Sequence, residues 1–293
     1  MNKQIRSLLI SLFCALLFTA PASAQTCGKE DYKCQIADYT KMIAADAGNA
    51  ENYYNRAGAF RNDGKYDQAI TDYTRYISTN PANKSYLADG YHYRGLAYKL
   101  KGDMPRAIAD YDRAIQLLPG NATFHYNRGR AYASQKSYDL ALADFNTAIS
   151  LSPDDSVYLV DRGHAYMGKK DYASAYADFT LAIKLNKNDA EAYYNRAIIS
   201  QDRKEHQKAI DDLNIYITMN TGNIPYLSDG YQNRAISYSA LGNYAQAVKD
   251  LTAAIDLDPK DPSPLKTRAS IYRKQGKIAL AEADERKAAS LPK

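Results

Sequence analysis

An aspartate followed by an aromatic residue recurs along this 293-residue chain at a fixed spacing of 34 residues, except for two gaps of 38. The steps are Asp38-Tyr39, Asp72-Tyr73, Asp110-Tyr111, Asp144-Phe145 and Asp178-Phe179, followed by Asp212-Leu213, Asp250-Leu251 and Asp284-Glu285, in which the second residue differs. A fixed period of this length is typical of chains built from stacked units, none of which can bury its apolar face alone.

Each unit predicts two helices. In the unit that begins at Ala122, small and aromatic residues as far as Tyr132 follow helical spacing, and the polar residues at 135–137 interrupt them. A second helical stripe runs from Tyr138 to Ile149, and Pro153 follows it, as proline often does just past a helix end.

These residues resemble the tetratricopeptide repeat, whose pattern of small residues, Tyr, Ala, aromatic, Ala and Pro spans 34 residues. Seven full copies begin near Ala50, Ala88, Ala122, Ser156, Ala190, Ser228 and Pro262. A half copy that holds only the second helix precedes them, from Asp31 to about Asp46. The resemblance implies an all-α fold, a right-handed superhelical solenoid of antiparallel helix pairs with seven full repeats and an N-terminal half repeat.

A second regularity appears at 140 residues, where residues 50–57 (AENYYNRA) match residues 190–197 (AEAYYNRA). The two long gaps also correspond, because residues 84–87 (KSYL) and 224–227 (IPYL) are each followed by Ala or Ser and then Asp-Gly-Tyr. Four extra residues make about one helical turn. The sequence therefore predicts a duplicated block of four repeats in which the insertion lengthens a first helix.

The first 24 residues predict a secretory signal. Lys3 and Arg6 precede an apolar run over 8–18, and the small residues at 22–24 predict cleavage after Ala24. The mature chain retains Cys27 and Cys34, an even pair that in an exported protein indicates a disulfide. We expect a cleaved signal at 1–24, a stapled half repeat at 25–49 and repeats at 50–293, the last two forming one domain in the periplasm or outside the cell.

Two charged columns repeat in every full copy, an arginine in the first helix and an aspartate in the second. The arginines are Arg56, Arg94, Arg128, Arg162, Arg196, Arg234 and Arg268, and the aspartates include Asp72, Asp110, Asp144 and Asp178. Because every unit needs the same stacking geometry whereas ligand contacts vary, we interpret both columns as structural. Whether they pair within or between repeats stays open at this point.

The first helix of each unit lines the concave side in this family, and the variable residues on that face are the candidate site. They are Tyr54, Asn55, His92, Tyr126, Asn127, Arg130, His164, Tyr194, Asn195 and Asn233. Aromatic surface beside amides suits a peptide. The leading hypothesis is a non-catalytic adaptor that binds a protein or peptide partner, and the alternative is a glycan- or peptidoglycan-binding chain that uses the tyrosines.

Other function classes find no support in the residues. The four histidines show no metal spacing, no nucleophile elbow is present, and the segment 163–170 (GHAYMGKK) lacks the Ser/Thr of a phosphate-binding loop. The net charge of +5 is small and dispersed, which does not indicate a nucleic-acid partner. We therefore expect no enzyme activity, no cofactor and no metal.

Overall fold

The computed structural model describes residues 27–291. The predicted signal at 1–24 lies outside this range. The described residues form fifteen α-helices and no strand. The helices are α1 (Tyr32–Ala45), α2 (Ala50–Asn62), α3 (Tyr66–Ser78), α4 (Lys84–Lys101), α5 (Met104–Leu117), α6 (Ala122–Ser134), α7 (Tyr138–Leu151), α8 (Ser156–Gly168), α9 (Tyr172–Leu185), α10 (Ala190–Asp202), α11 (His206–Met219), α12 (Ile224–Ala240), α13 (Tyr244–Leu257), α14 (Ser263–Lys274) and α15 (Ile278–Ser290). One unpaired helix followed by seven pairs confirms the predicted all-α repeat fold.

The chain divides into two compact units, and the division falls at residues 131 and 132. In the first unit, up to Ala131, the helices α1 to α5 pack consecutively, each against its neighbour within this series. In the second unit, from Tyr132, the helices α7 to α15 pack consecutively in the same manner. That residues 25–293 form one domain stays a prediction.

The turn between the two helices of a repeat is closed in the same way each time. One residue in each of the seven turns has a positive φ, and these residues are Gly64, Gly102, Lys136, Lys170, Lys204, Gly242 and Gly276. The next backbone N–H then bonds the carbonyl five residues earlier, as Lys65 does to Phe60 and Asp103 does to Tyr98, both at 2.8 Å. This arrangement satisfies carbonyls that a helix end leaves without partners.

Small residues let the two helices of a repeat approach closely. A Cβ added to Gly163 would lie 2.8 Å from the ring of Phe179, and one added to Gly95 would lie 2.9 Å from the ring of Tyr111. Both rings are fully buried. The close approach leaves room only for a small residue at these positions.

The predicted insertions lengthen two first helices. Helices α4 and α12 contain 18 and 17 residues, whereas each of the other helices contains 12 to 14. Each extra turn extends the helix at its N-terminus, so α4 begins at Lys84 and α12 at Ile224. The insertion therefore adds side chains at one end of each of these two helices.

The arginine and aspartate columns pair within repeats. Bidentate pairs join Arg56 to Asp72, Arg94 to Asp110, Arg162 to Asp178, Arg196 to Asp212, Arg234 to Asp250 and Arg268 to Asp284, with N···O distances of 2.6 to 2.9 Å. The remaining guanidinium nitrogen of each arginine reaches a side chain of the preceding repeat, as Arg162 does to Asn146 at 2.7 Å. Arg128 makes this second bond to Asp112, at 2.6 Å. One arginine thus ties together three helices, two of its own repeat and one of the repeat before.

Cys27 and Cys34 lie at the start of the described chain with their Cα atoms 5.7 Å apart, and the structure joins their sulfurs. Asp31 lies between them and caps α1 by accepting a hydrogen bond from the backbone N–H of Cys34 at 3.0 Å. Asp38 completes the one cluster of potential metal ligands in the described part of the chain. Sulfurs joined in a disulfide are not thiolates, so these cysteines form a covalent cross-link and not a thiolate metal site.

Across residues 27–291, no helix has the length and apolar character needed to cross a membrane.

Candidate ligand-binding site

A pocket of about 420 Å³ lies in the second unit, and four helices of that unit or their ends line it. Its lining residues are His164 from α8, Ala190, Glu191, Tyr194 and Asn195 from α10, Tyr216 from α11, Asn220 directly after α11, and Tyr226 and Asp229 from α12. Three of the predicted groove residues, His164, Tyr194 and Asn195, are therefore brought together in one place. We name this set the acidic tyrosine pocket.

Helix α10 supplies one wall. Asp189 caps its first turn by accepting a hydrogen bond from the backbone N–H of Ala192 at 3.1 Å. Glu191, Tyr194 and Asn195 then lie three and four residues apart, and this spacing places them on one face of the helix. The cap and the helical period together set the position of this wall.

The opposite wall comes from the extra turn of α12. Tyr226 belongs to the four inserted residues, and Asp229 follows three residues later on the same face. Gly230 lets α12 approach closely, since a Cβ there would lie 3.0 Å from the ring of Tyr216. The insertion therefore forms part of the pocket wall.

Two tyrosine rings of the pocket lie against each other at a tilt. The rings of Tyr194 and Tyr216 have centroids 4.9 Å apart at an angle of 42°. Asn233 holds the first ring, because its amide nitrogen donates to the Tyr194 hydroxyl at 3.1 Å. Tyr216 is buried, whereas Tyr226 keeps 53% of its surface exposed. The pocket thus offers aromatic surface at two depths.

The charged groups of the pocket are mainly acidic. Burial is the first cause that raises the pKa of Asp229, and the charge of Asp261 is the second. Burial acts to lower the pKa of His164, but the hydrogen bond to Asp161 and the charges of Glu191, Asp161 and Asp189 outweigh it and raise the pKa overall. The His164 Nε2 lies 3.4 Å from Glu191. A ring that gains a proton is therefore stabilised by the surrounding carboxylates, as another cation placed here would be.

The asparagine side chains already form hydrogen bonds within the protein, which the sequence does not indicate. The amide nitrogen of Asn195 donates to the Glu191 carbonyl at 2.9 Å and lies 3.0 Å from His164 Nε2. Asn127 repeats this arrangement in the first unit, with the Thr123 carbonyl at 3.0 Å and His92 Nε2 at 3.1 Å. The sequence places these amides beside aromatic surface, as suits a peptide. In the structure the two amide nitrogens are engaged within the protein.

The other predicted groove residues lie outside the acidic tyrosine pocket. His92 is only 6% exposed, with its ring 5.0 Å from Phe124 and 5.9 Å from Tyr111, so its assignment to an exposed groove wall is wrong. Arg130 is exposed, and its guanidinium carbon lies 5.6 Å from the ring centroid of Tyr126. Asn233 is one helix turn beyond Asp229 and acts on the pocket through Tyr194.

Tyr54 and Asn55 are half buried in the first unit. Tyr54 lies within 6 Å of three other tyrosine rings, those of Tyr73, Tyr76 and Tyr93. Tyr216, Asn220, Tyr226 and Asp229 are not among the predicted groove residues. Tyr216 and Asn220 lie on or directly after a second helix and Tyr226 lies in the inserted turn, outside the inner face of a first helix that the family pattern indicates. The 140-residue repetition was the signal that could have identified them.

Family models described as tetratricopeptide repeat match residues 50–83, 93–156, 160–224 and 228–261. Among curated proteins, protein unc-45 homolog B of Danio rerio is 39% identical over 59 residues, which are 20% of this chain. The chain spans 6% of the length of that relative.

Solved structures share the fold. The C-terminal part of a repeat-containing protein from Cytophaga hutchinsonii has a TM-score of 0.66 at 20% identity, covering 81% of this chain and 95% of that one. A tetratricopeptide repeat protein from Parabacteroides merdae has a TM-score of 0.60 at 22% identity, covering 83% and 93%. YrrB, described as having an unusual peptide-binding site, has a TM-score of 0.55 at 22% identity, covering 66% and 95%. With seven helix pairs among the described residues and family models matched along most of them, the chain belongs to the tetratricopeptide repeat family.

Proposed function

We propose that this chain is a non-catalytic adaptor of the cell envelope that binds a protein partner through the acidic tyrosine pocket. The observation that carries the proposal is the convergence of α8, α10, α11 and α12 on one pocket lined by tyrosines, amides and carboxylates. Members of this family are generally non-catalytic scaffolds, and the similar structure of YrrB is described as a peptide-binding protein.

The size and lining of the pocket support a peptide side chain as the bound group. About 420 Å³ lies within the range of ligand sites, and buried aromatic surface with a few placed polar groups is the usual composition of such sites. Tyrosine is also among the residues that contribute most to protein interfaces. The half-exposed ring of Tyr226 provides a surface over which the remainder of a partner segment can continue.

The location in the envelope rests on sequence alone. The basic start, apolar run and small residues of 1–24 support export, and two cysteines seven residues apart support an oxidising compartment. A periplasmic adaptor and a secreted one share this evidence.

Photo-cross-linking in living cells tests the proposal. A photoreactive phenylalanine analogue replaces Tyr226 in the pocket, and in a matched control it replaces Tyr172, which is 40% exposed but does not line the pocket. We expect a protein adduct from position 226 that is absent from position 172 and is lost when Glu191→Gln and Asp229→Asn are added. Identical adducts at both positions, or adducts indifferent to the two acid substitutions, would contradict the proposal.

The rival function is glycan recognition, since tyrosine rings also stack on sugars. It predicts that purified protein binds isolated cell wall and that soluble wall fragments displace it. Retention on cell wall that the two acid substitutions abolish, together with the absence of any protein adduct at position 226, would replace the proposed protein partner by a glycan.

A further inference from the structure

The lining of the acidic tyrosine pocket recurs in the first unit. Every lining residue apart from His164 has an identical residue 140 positions earlier. The earlier set is Ala50, Glu51, Tyr54, Asn55, Tyr76, Asn80, Tyr86 and Asp89. The position 140 residues before His164 lies outside the described residues. The two blocks are not identical throughout. Four residues after Asp89 the earlier block has Tyr93, whereas four residues after Asp229 the later block has Asn233. The identity at all eight lining positions therefore exceeds the similarity of the two blocks as wholes.

The earlier set also has the geometry of the later one. The rings of Tyr54 and Tyr76 have centroids 5.0 Å apart at 51°, against 4.9 Å and 42° for Tyr194 and Tyr216. A Cβ added to Gly90 would lie 2.9 Å from the ring of Tyr76, as one added to Gly230 would lie 3.0 Å from Tyr216. Helix α4 therefore approaches its tyrosine as α12 does.

The charges are placed alike around the central tyrosine. Burial is the first cause that raises the pKa of Tyr76, to about 12, and the charges of Asp89, Glu51 and Tyr86 follow. For Tyr216 the pKa is raised by burial and then by Tyr194, Asp229, Tyr226 and Glu191. The same groups thus surround the central ring in both units. We name the earlier set the first-unit site.

Stacking of the repeats does not require this arrangement. The residues that occupy the column of Tyr76 and Tyr216 in other repeats are Ala114, Ala148, Ala182, Ala254 and Ala288. Two repeats out of seven carry tyrosine there, and each is followed by an inserted turn. Packing can explain why a tyrosine accompanies a glycine and an inserted turn. It does not require the carboxylates, because Glu51, Glu191 and Asp229 are exposed and Asp89 is only half buried.

None of these carboxylates pairs with a lysine or an arginine within the described chain. No lysine or arginine nitrogen lies within 4.0 Å of Glu51, Asp89 or Asp229, and Glu191 pairs only with His164. Exposed acidic residues elsewhere do form ion pairs with lysines, as Asp67 does with Lys101. Aromatic rings beside unpaired carboxylates form a favourable environment for a cation, through attraction to the ring face and to the acids.

We infer that the chain carries two equivalent sites, one in each unit, and that each takes a lysine or arginine side chain of a partner protein. This inference rests on the proposed function and deepens it, because it assigns both the chemistry of the bound group and a second place where it binds. The partner then presents two basic residues, or two partner molecules present one each.

Nuclear magnetic resonance of the isotope-labelled mature protein tests this inference. The probe is the blocked peptide Gly-Ser-Arg-Ser-Gly, and its matched control has citrulline in place of arginine, which keeps the shape and removes the charge. We expect saturable shifts of backbone amides around both Asp89 and Asp229, with the arginine peptide binding about tenfold more tightly than the citrulline peptide. Asp89→Asn is expected to abolish the shifts in the first unit alone, and Asp229→Asn those in the second unit alone.

The possible failures are distinguishable. Shifts confined to the second unit would refute the first-unit site and leave the proposed function standing. Equal binding of arginine and citrulline peptides would refute the cationic ligand. Peptide shifts in neither unit, with shifts produced instead by a soluble cell-wall fragment, would overturn both this inference and the protein-binding function. Circular dichroism of each variant shows that a lost shift does not come from unfolding.

Discussion

The guanidinium of Arg162 holds both carboxylate oxygens of Asp178, with Nε at 2.8 Å and Nη2 at 2.6 Å, and its remaining nitrogen reaches Asn146 at 2.7 Å. The aspartate side chain is 7% exposed and the arginine side chain 19%. A charge pair this buried stabilises the fold little relative to an apolar pair, but leaving either partner alone is costly. The arrangement therefore fixes the register of neighbouring helices.

The first prediction is that Arg162→Ala lowers stability by about 3 kcal/mol, because Asp178 is left charged and buried. Urea unfolding followed by circular dichroism measures the loss. The matched control is Arg273→Ala, which breaks a bidentate pair with Glu285 whose side chains are 48% and 45% exposed. Exposed pairs contribute about 0–1 kcal/mol, so the control is expected to change little. Equal effects from the two substitutions would show that burial of the pair is not what matters.

The repeat fold could be predicted from sequence because its determinants are local. Helix spacing, turn residues and the small residues at crossings recur within each 34-residue unit, so every copy adds evidence for the others. Even the lengthening of α4 and α12 followed from counting residues, since four residues make one turn.

The acidic tyrosine pocket was only half predictable. Tyr194 and Asn195 lie on the inner face of a first helix, where the family pattern points. Tyr216 belongs to a second helix, and Tyr226 lies in the inserted turn of α12, so neither is on the face where the family pattern points. The prediction that His92 lines the groove is wrong for the converse reason. Its position in the helix matches that of Tyr194, but the rings of Phe124 and Tyr111 cover it, and a residue's neighbours in other helices are not encoded in its own helix.

A second prediction concerns His92, whose pKa is lowered to about 4 by burial and by the charge of Arg61. The Asn127 amide nitrogen can only donate, so the ring must accept at Nε2, which disfavours a proton there. The unfolded chain binds this proton below pH about 6.5 and the folded chain does not, so stability falls as pH drops from about 6.5 to about 4. The loss contributed by this one residue reaches about 3 kcal/mol at the low end.

Protonation of carboxyl groups with a raised pKa changes the free energy of unfolding in the opposite sense. Their contribution must therefore be separated from that of His92. Burial raises the pKa of Asp89 to about 6, so protonation of that group favours the folded state over part of the same range. The measurement is therefore the difference in unfolding free energy between the unaltered chain and His92→Gln, followed from neutral to acid pH. A difference that does not change with pH would contradict the lowered pKa.

The third prediction is that the mature protein begins at Gln25 and contains a Cys27–Cys34 disulfide. Intact mass spectrometry of protein from the envelope is expected to give the mass of residues 25–293 less two hydrogens, restored by reductant. Closing a short loop stabilises by about 2–3 kcal/mol in the chain-entropy view. Replacing both cysteines by serine is expected to increase hydrogen exchange in α1, with α13 as the internal reference. A full-length mass, or free thiols in the exported protein, would contradict the prediction.

The fourth prediction is that the two sites respond differently to pH. Because burial raises the pKa of Asp89 to about 6, this carboxyl gains a proton as pH falls through that value and ceases to attract a cation. In the second unit the pKa values of Asp229 and His164 are both raised. As pH falls, His164 therefore gains a proton and competes with the ligand for Glu191. Binding of the arginine peptide is therefore expected to weaken in both units as the solution is acidified.

In the first unit a single group near pH 6 governs the loss, so Asp89→Asn is expected to remove the pH dependence there together with most of the affinity. In the second unit His164→Gln is expected to keep the affinity at neutral pH and to reduce the loss on acidification. The measurement is the affinity for the arginine peptide in each unit as a function of pH. If the affinity in the second unit falls on acidification by the same factor in the His164→Gln protein as in the unaltered chain, this histidine does not compete for the site.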